Sequence, residues 1–248
     1  RDVGINDLAP EYNNGIVPGN EYVDLRITNV TEYHSWRNKW NGVKYSEDAD
    51  DEFVVVNLLG PRTSDQSGYI WNSEMTFVEL KIEFLGRSQP WDTNVDARTQ
   101  TDTAVPIALG RTFFTFYDFD TGRPTFDGSA PAPEAMQVDP SAKTEILPRM
   151  TELYRHNYWN ETVTEAQLNS FFPTAEARAE LESWKMPITE ASTYGIGDDN
   201  PFSASTLTEL QANRSIMIQV EGVEHFHVRY AITVCCTTGR NFMFSGYS

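Results

Sequence analysis

The sequence predicts an all-β protein, an antiparallel β-sandwich or jelly roll with long acidic loops and one or two short helices. Three observations predict it: apolar residues recur at period two in short runs, Gly and Pro punctuate those runs, and helical periodicity is scarce. Val23, Leu25 and Ile27 alternate with Asp24, Arg26 and Thr28, a one-sided strand. Phe53 to Leu59 is apolar apart from Asn57 and stops at Gly60-Pro61. Thr76, Val78, Leu80, Ile82 and Phe84 alternate with Phe77, Glu79, Lys81 and Glu83, so this strand is expected to turn its charged side to water. Arg111 to Gly122 begins as an aromatic strand, apolar on both sides, and ends on Asp118 and Asp120. Ser215 to Val220 follows, then a strand with Phe226, Val228, Tyr230, Ile232 and Val234 inward. Asn241 to Phe244 is expected to pair with that strand through Thr237-Thr238-Gly239-Arg240, a turn of hairpin length. Helices are expected at Thr164 to Leu168, continuing over Thr174 to Trp184, and at Thr206 to Ala212. The acidic run Ser46 to Glu52, the segment 121–145 and the segment Tyr194 to Pro201 read as loops. One domain, 1–248, with a partly helical insertion around 160–212, accounts for the pattern.

Composition narrows the function. Apolar residues make up 40% of the 248 positions, enough for a folded core. Asp and Glu number 36 against 19 Lys and Arg, a net charge of −17 that repels nucleic acid and anionic membrane surfaces. No apolar run is long enough to span a bilayer, so membrane insertion is not expected. Such a surface suits a secreted or secretory-granule setting, where salt and bound Ca²⁺ relieve self-repulsion. The chain begins at Arg1 without a Met and reads as a processed product or a trimmed fragment. Cys235 and Cys236 are adjacent, too close to bridge each other, and in a strand they face opposite ways. Two free small hydrophobic residues is one reading; an intermolecular disulfide through outward Cys235 is the other.

The Asp118 and Asp120 pair is the leading candidate site. Calcium takes six to eight oxygen ligands, so the pair needs completion, for which Asp127 and Glu134 of the next segment and the Asp198-Asp199-Asn200 loop are the candidates. The alternative is that the carboxylates cap backbone N–H groups at the strand end. His225 and His227, at i and i+2 of one strand, could share a transition metal with His34, His156 or a carboxylate. Arg229, next on that face, argues for two polar-face histidines instead. Trp36, Trp40, Trp71, Trp91 and Trp159 could form a sugar platform, or pack on the sheet. Sequons at Asn160 and Asn213 are the credible glycosylation sites; Asn29 shares parity with inward residues. No nucleophile elbow, P-loop or zinc-protease motif occurs.

The strand Phe113-Phe-Thr-Phe-Tyr-Asp-Phe-Asp-Thr-Gly122, the loop Gly197-Asp-Asp-Asn-Pro-Phe202 leading into Leu207-Thr-Glu-Leu-Gln211, and the ending Gly239-Arg-Asn-Phe-Met-Phe244 together resemble modular β-sandwich domains of secreted or cell-surface protist and bacterial proteins. The resemblance implies a structural or adhesive role, with Asp118 and Asp120 as cation ligands, and no particular enzyme. The expected function is therefore a non-enzymatic, calcium-stabilised module of an extracellular or granule assembly, partnered by its own copies or other extracellular proteins. Two alternatives are a calcium-dependent carbohydrate-binding module, whose partners are glycans, and a jelly-roll metal-dependent hydrolase.

Overall fold

The computed structural model describes residues 3–4, 22–31, 33, 35, 37, 41–46, 49–58, 76–87, 104–121, 134–146, 148–156, 179, 186–195, 200–201, 206–232 and 240–247. Their strands are β1 (Val3–Gly4), β2 (Tyr22–Asn29), β3 (Gly42–Ser46), β4 (Ala49–Leu58), β5 (Thr76–Arg87), β6 (Val105–Pro106) and β7 (Thr112–Tyr117). They continue as β8 (Glu134–Val138), β9 (Ala142–Ile146), β10 (Leu153–His156), β11 (Ile188–Ala191), β12 (Ile216–Val220), β13 (His225–Ile232) and β14 (Arg240–Tyr247). One sheet has the order β1-β2-β5-β13-β8-β11-β10, with β6 paired to β5; the other runs β3-β4-β14-β7-β12-β9. All pairings between these strands are antiparallel, and the two sheets bury their inward residues in one core, the sandwich that the alternation predicts.

The inward set is aromatic where the sheets meet. Phe114 of β7 lies 5.0 Å, centroid to centroid, from Phe226 of β13, and Tyr230 of β13 stacks on Phe242 of β14 at 4.3 Å. These contacts overturn the expected hairpin between β13 and β14. Both strands bury alternate residues in the same core, so they face each other from opposite sheets, and β14 pairs with β4 and β7 instead. The outer face of β7 is covered too: Tyr117 packs with Phe53, Val55 and Met243, and Leu207 lies against them. Leu207 precedes helix α1 (Glu209–Asn213), shorter than the expected Thr206 to Ala212 and started by a capping box. The Gln211 N–H donates to the Thr208 hydroxyl, and the Thr208 N–H donates to the Gln211 side chain.

Several segments expected as loops are strands. Residues 121–145 supply β8 and β9, whose Glu134-Ala-Met-Gln-Val138 gives no alternation because all five residues are buried. Within the region expected as a helical insertion, β11 joins β8 to β10, while Ala179 is helical. The acidic run 46–52 is largely the start of β4, paired to β3. The charged side of β5 is likewise not open: Glu79 and Glu83 are each 8% exposed. Arg26 Nε and Lys81 Nζ reach Glu83 at 2.8 and 2.7 Å, and these hydrogen bonds, that from Arg26 foremost, pull its pKa down to about 2.

Glu190 of β11, between Tyr154 and Ala135 in register, is buried enough to push its pKa up to about 8. Below the usual carboxylate pKa of 4.5 it is protonated in both states. From there toward pH 8 the unfolded chain ionises first, so this group's contribution to stability is lost as pH rises. Glu190→Gln should therefore raise stability at pH 8 by on the order of 2 kcal/mol and change it little at pH 4.5. Urea unfolding at the two pH values checks this, and an equal gain at both contradicts it.

Candidate functional site

β7 carries its alternation through Tyr117, and there it breaks. Asp118 adopts φ 67°, the left-handed region that Asp tolerates better than most residues. Strict alternation puts Phe119 on the Tyr117 face; the left-handed residue instead turns it into the core, edge-on to Tyr230 and Phe242 at 6.4 Å from each. Neighbouring segments fix the backbone beyond. The Phe119 N–H donates to the Arg214 carbonyl (3.2 Å), the Thr121 N–H to the Thr193 carbonyl (2.8 Å), and the Glu134 N–H to the Asp120 carbonyl (3.2 Å). Arg214 is itself held, its Nε 2.9 Å from Glu152 Oε2 and its Nη2 donating to the Tyr194 carbonyl at 3.2 Å. The Thr193 hydroxyl foremost, and Arg214 with it, lower the pKa of Glu152 against the effect of burial.

Around this corner the acids converge. Asp120 is 2% and Glu134 3% exposed, and Asp118 is also buried. Arg240, first residue of β14, places Nη1 2.9 Å from Asp120 Oδ1 and Nε 3.5 Å from Glu134 Oε1. Burial raises the Glu134 pKa well above the usual range, and the Asp120 charge raises it further against the pull of Arg240. Burial and the neighbouring Glu134 likewise raise the Tyr230 phenol. Burial alone would weaken the Arg240 guanidinium, but Glu134 and Asp120 outweigh it and hold it protonated. The Asn200 side-chain amide lies 2.8 and 2.9 Å from the two Asp118 carboxylate oxygens, and its NH₂ is assigned to that side because there it can donate to both. Gly195 closes over Asp120: a Cβ there would come within 2.7 Å of the Asp120 Cβ.

The structure thus brings together Asp118, Asp120, Glu134 and Asn200 of the expected ligand set. Asp127, Asp198 and Asp199 lie outside the described residues, as do Asn160, Cys235, Cys236, His34 and the tryptophans Trp36, Trp40, Trp71, Trp91 and Trp159. Among the described residues, no three His, Cys, Asp or Glu side chains form a group that could hold a metal ion. In this geometry Asp120 and Glu134 face a guanidinium and Asn200 presents donors. Arg240 stands against Asp120 and Glu134, where a cation was expected. Arg240 and Tyr230 are the residues that sequence reasoning missed. Arg240 read as part of a turn, and Tyr230 as one more inward aromatic.

The remaining candidates divide. Asn213 ends α1 half-buried, its carbonyl accepting from the Glu152 N–H at 2.9 Å, and sequon Ser215 is buried with its hydroxyl on the Ala212 carbonyl at 2.7 Å. Asn29 proves exposed, because β2 ends on it. His227 Nδ1 lies 2.9 Å from Glu79 Oε1, a carboxylate that Arg229 Nε also contacts at 2.8 Å. Among the described residues no helix is long and apolar enough to cross a membrane. No protein-family model, curated protein or solved structure matches this chain.

Proposed function

We propose that the chain is a non-enzymatic structural module of a secreted or secretory-granule assembly, built to hold its shape and to associate with copies of itself. The observation that carries this reading is the convergence of separate segments on one buried corner, with their charged groups turned onto one another. The Asp118 to Thr121 segment that follows β7, Glu134, Gly195, Asn200, Arg214 and Arg240 all meet there. Groups committed to each other in this way contribute cohesion between sheets and leave little for substrate chemistry. Calcium stays in the reading through Asp118, since Asp120 and Glu134 are engaged by Arg240, while its expected co-ligands Asp127, Asp198 and Asp199 lie outside the described residues. Association of a chain carrying −17 must overcome self-repulsion, so salt and divalent cations should promote it.

Sedimentation velocity across protein concentration, in EGTA and in millimolar Ca²⁺ at low and high salt, tests the reading. Species larger than the monomer should grow with ionic strength and with Ca²⁺. A monomer under every condition overturns the assembly role. A thermal midpoint identical in EGTA and Ca²⁺ removes calcium while leaving the structural module.

A further inference from the structure

The outer face of β13 carries a second constellation, opposite the core-facing side that holds Tyr230. His225 and His227 stand there at i and i+2 with ring centroids 5.6 Å apart and planes at 65°. An ion about 2.05 Å from an imidazole nitrogen lies about 3.2 Å from that ring's centroid, so two rings at a tetrahedral angle have centroids about 5.2 Å apart. The observed pair is within a few tenths of an ångström of that spacing, a gap that a small side-chain rotation closes.

His227 is also positioned as a ligand should be. Glu79 Oε1, 2.9 Å from Nδ1, favours the tautomer in which Nδ1–H donates to the carboxylate and Nε2 carries the lone pair. Arg229 Nε anchors the other Glu79 oxygen at 2.8 Å, and its side chain is only 5% exposed. The Arg229 cation, expected to oppose a metal, is therefore paired with Glu79 and turned toward it. The backbone is held on both sides: the His227 N–H donates to Asp139 Oδ2 at 2.6 Å, and its carbonyl accepts from the Asp139 N–H at 3.1 Å. His225 is exposed and lies opposite Glu83, whose carboxylate is bound by Arg26 and Lys81. Locally, Glu79, Glu83 and Asp139 balance Arg229, Arg26 and Lys81, while the chain as a whole attracts cations.

We infer that His225 and His227 form an open two-imidazole site for a borderline divalent transition ion of the copper, nickel and zinc class, with Glu79 orienting His227. Water completes the coordination. Calcium is not a ligand for this site, because it takes hard oxygen donors rather than imidazole.

Cu²⁺ titrated into the EDTA-treated, dialysed chain at pH 7.5, followed by calorimetry and by electron paramagnetic resonance, tests the inference. One equivalent should bind with nitrogen couplings from two imidazoles. His225→Asn, an exposed change that leaves the fold intact, should cost at least about tenfold in affinity and leave one coupled nitrogen. Glu79→Gln should weaken binding by about tenfold while keeping both nitrogens. No saturable binding overturns the site, and so does an affinity and spectrum unchanged in His225→Asn.

Discussion

Replacing Arg240 with Met should destabilise the protein by about 3 kcal/mol at pH 8, because it leaves Asp120 and Glu134 buried without the guanidinium that faces them. The figure is at the lower end for a broken buried pair, since the Arg240 side chain is 18% exposed and part of its charge is screened by solvent. The penalty has a pH dependence whose sign follows from Glu134. Its folded pKa already lies above its unfolded one, so its favourable contribution is complete at low pH and is lost as pH rises through the folded value. Without Arg240 that pKa climbs further, and ionisation opposes folding across a wider range. The deficit of Arg240→Met should therefore shrink toward pH 4.5 and grow toward pH 8. Arg240→Lys, which keeps the charge but not the fork, should fall between wild type and Arg240→Met. Urea unfolding of the three proteins at both pH values decides the matter. A deficit below about 1 kcal/mol at pH 8, or one independent of pH, would mean that the acids are neutralised by something else.

The fold was legible where alternation was clean. β2, β5 and β13 turn Val23, then Val78, Leu80, Ile82 and Phe84, then Phe226, Val228, Tyr230 and Ile232 into the core, as their period-two pattern requires, although Glu79, Glu83, Arg229 and Ala231 on the other face are buried as well. It was illegible where both faces are buried or the strand is short: β8 presents five buried residues in a row, and β11 has only four residues. Pairing across distance is a different kind of information. Thr237-Thr238-Gly239-Arg240 reads in the sequence as a turn of hairpin length, yet β14 starts at Arg240 and lies in the other sheet, where Phe242 and Phe244 pack on Phe116. The candidate site shows the same division. Asp118 and Asp120 were legible as an acidic strand end and Glu134 as a candidate from the next segment, while the positive φ at Asp118 and the arrival of Arg240 depend on contacts remote in sequence.

Phe242→Ala should be the most destabilising single aromatic truncation in this core, at about 4 kcal/mol. Phe242 is fully buried, stacks on Tyr230 at 4.3 Å and on Phe116 at 5.1 Å, and meets Phe119 edge-on at 6.4 Å. Truncation forfeits the transfer energy of the ring and those pair geometries, and it opens a void bordered by both sheets. Phe113→Ala, on the half-exposed outer side of β7, provides the contrast and should cost about 1 kcal/mol. Equal losses for the two would contradict the central placement of Phe242. A further consequence separates a passive core from one that supports the acids. Glu134 acts electrostatically on the Tyr230 phenol, whose ring rests on Phe242, so loosening that stack disturbs the environment on which the Arg240 contacts depend. The milder pair Phe242→Leu and Arg240→Lys keeps the fold intact enough for a double-mutant cycle. Their combined loss should differ from the sum of the singles by at least about 0.5 kcal/mol, whereas strict additivity would make core and acidic corner independent.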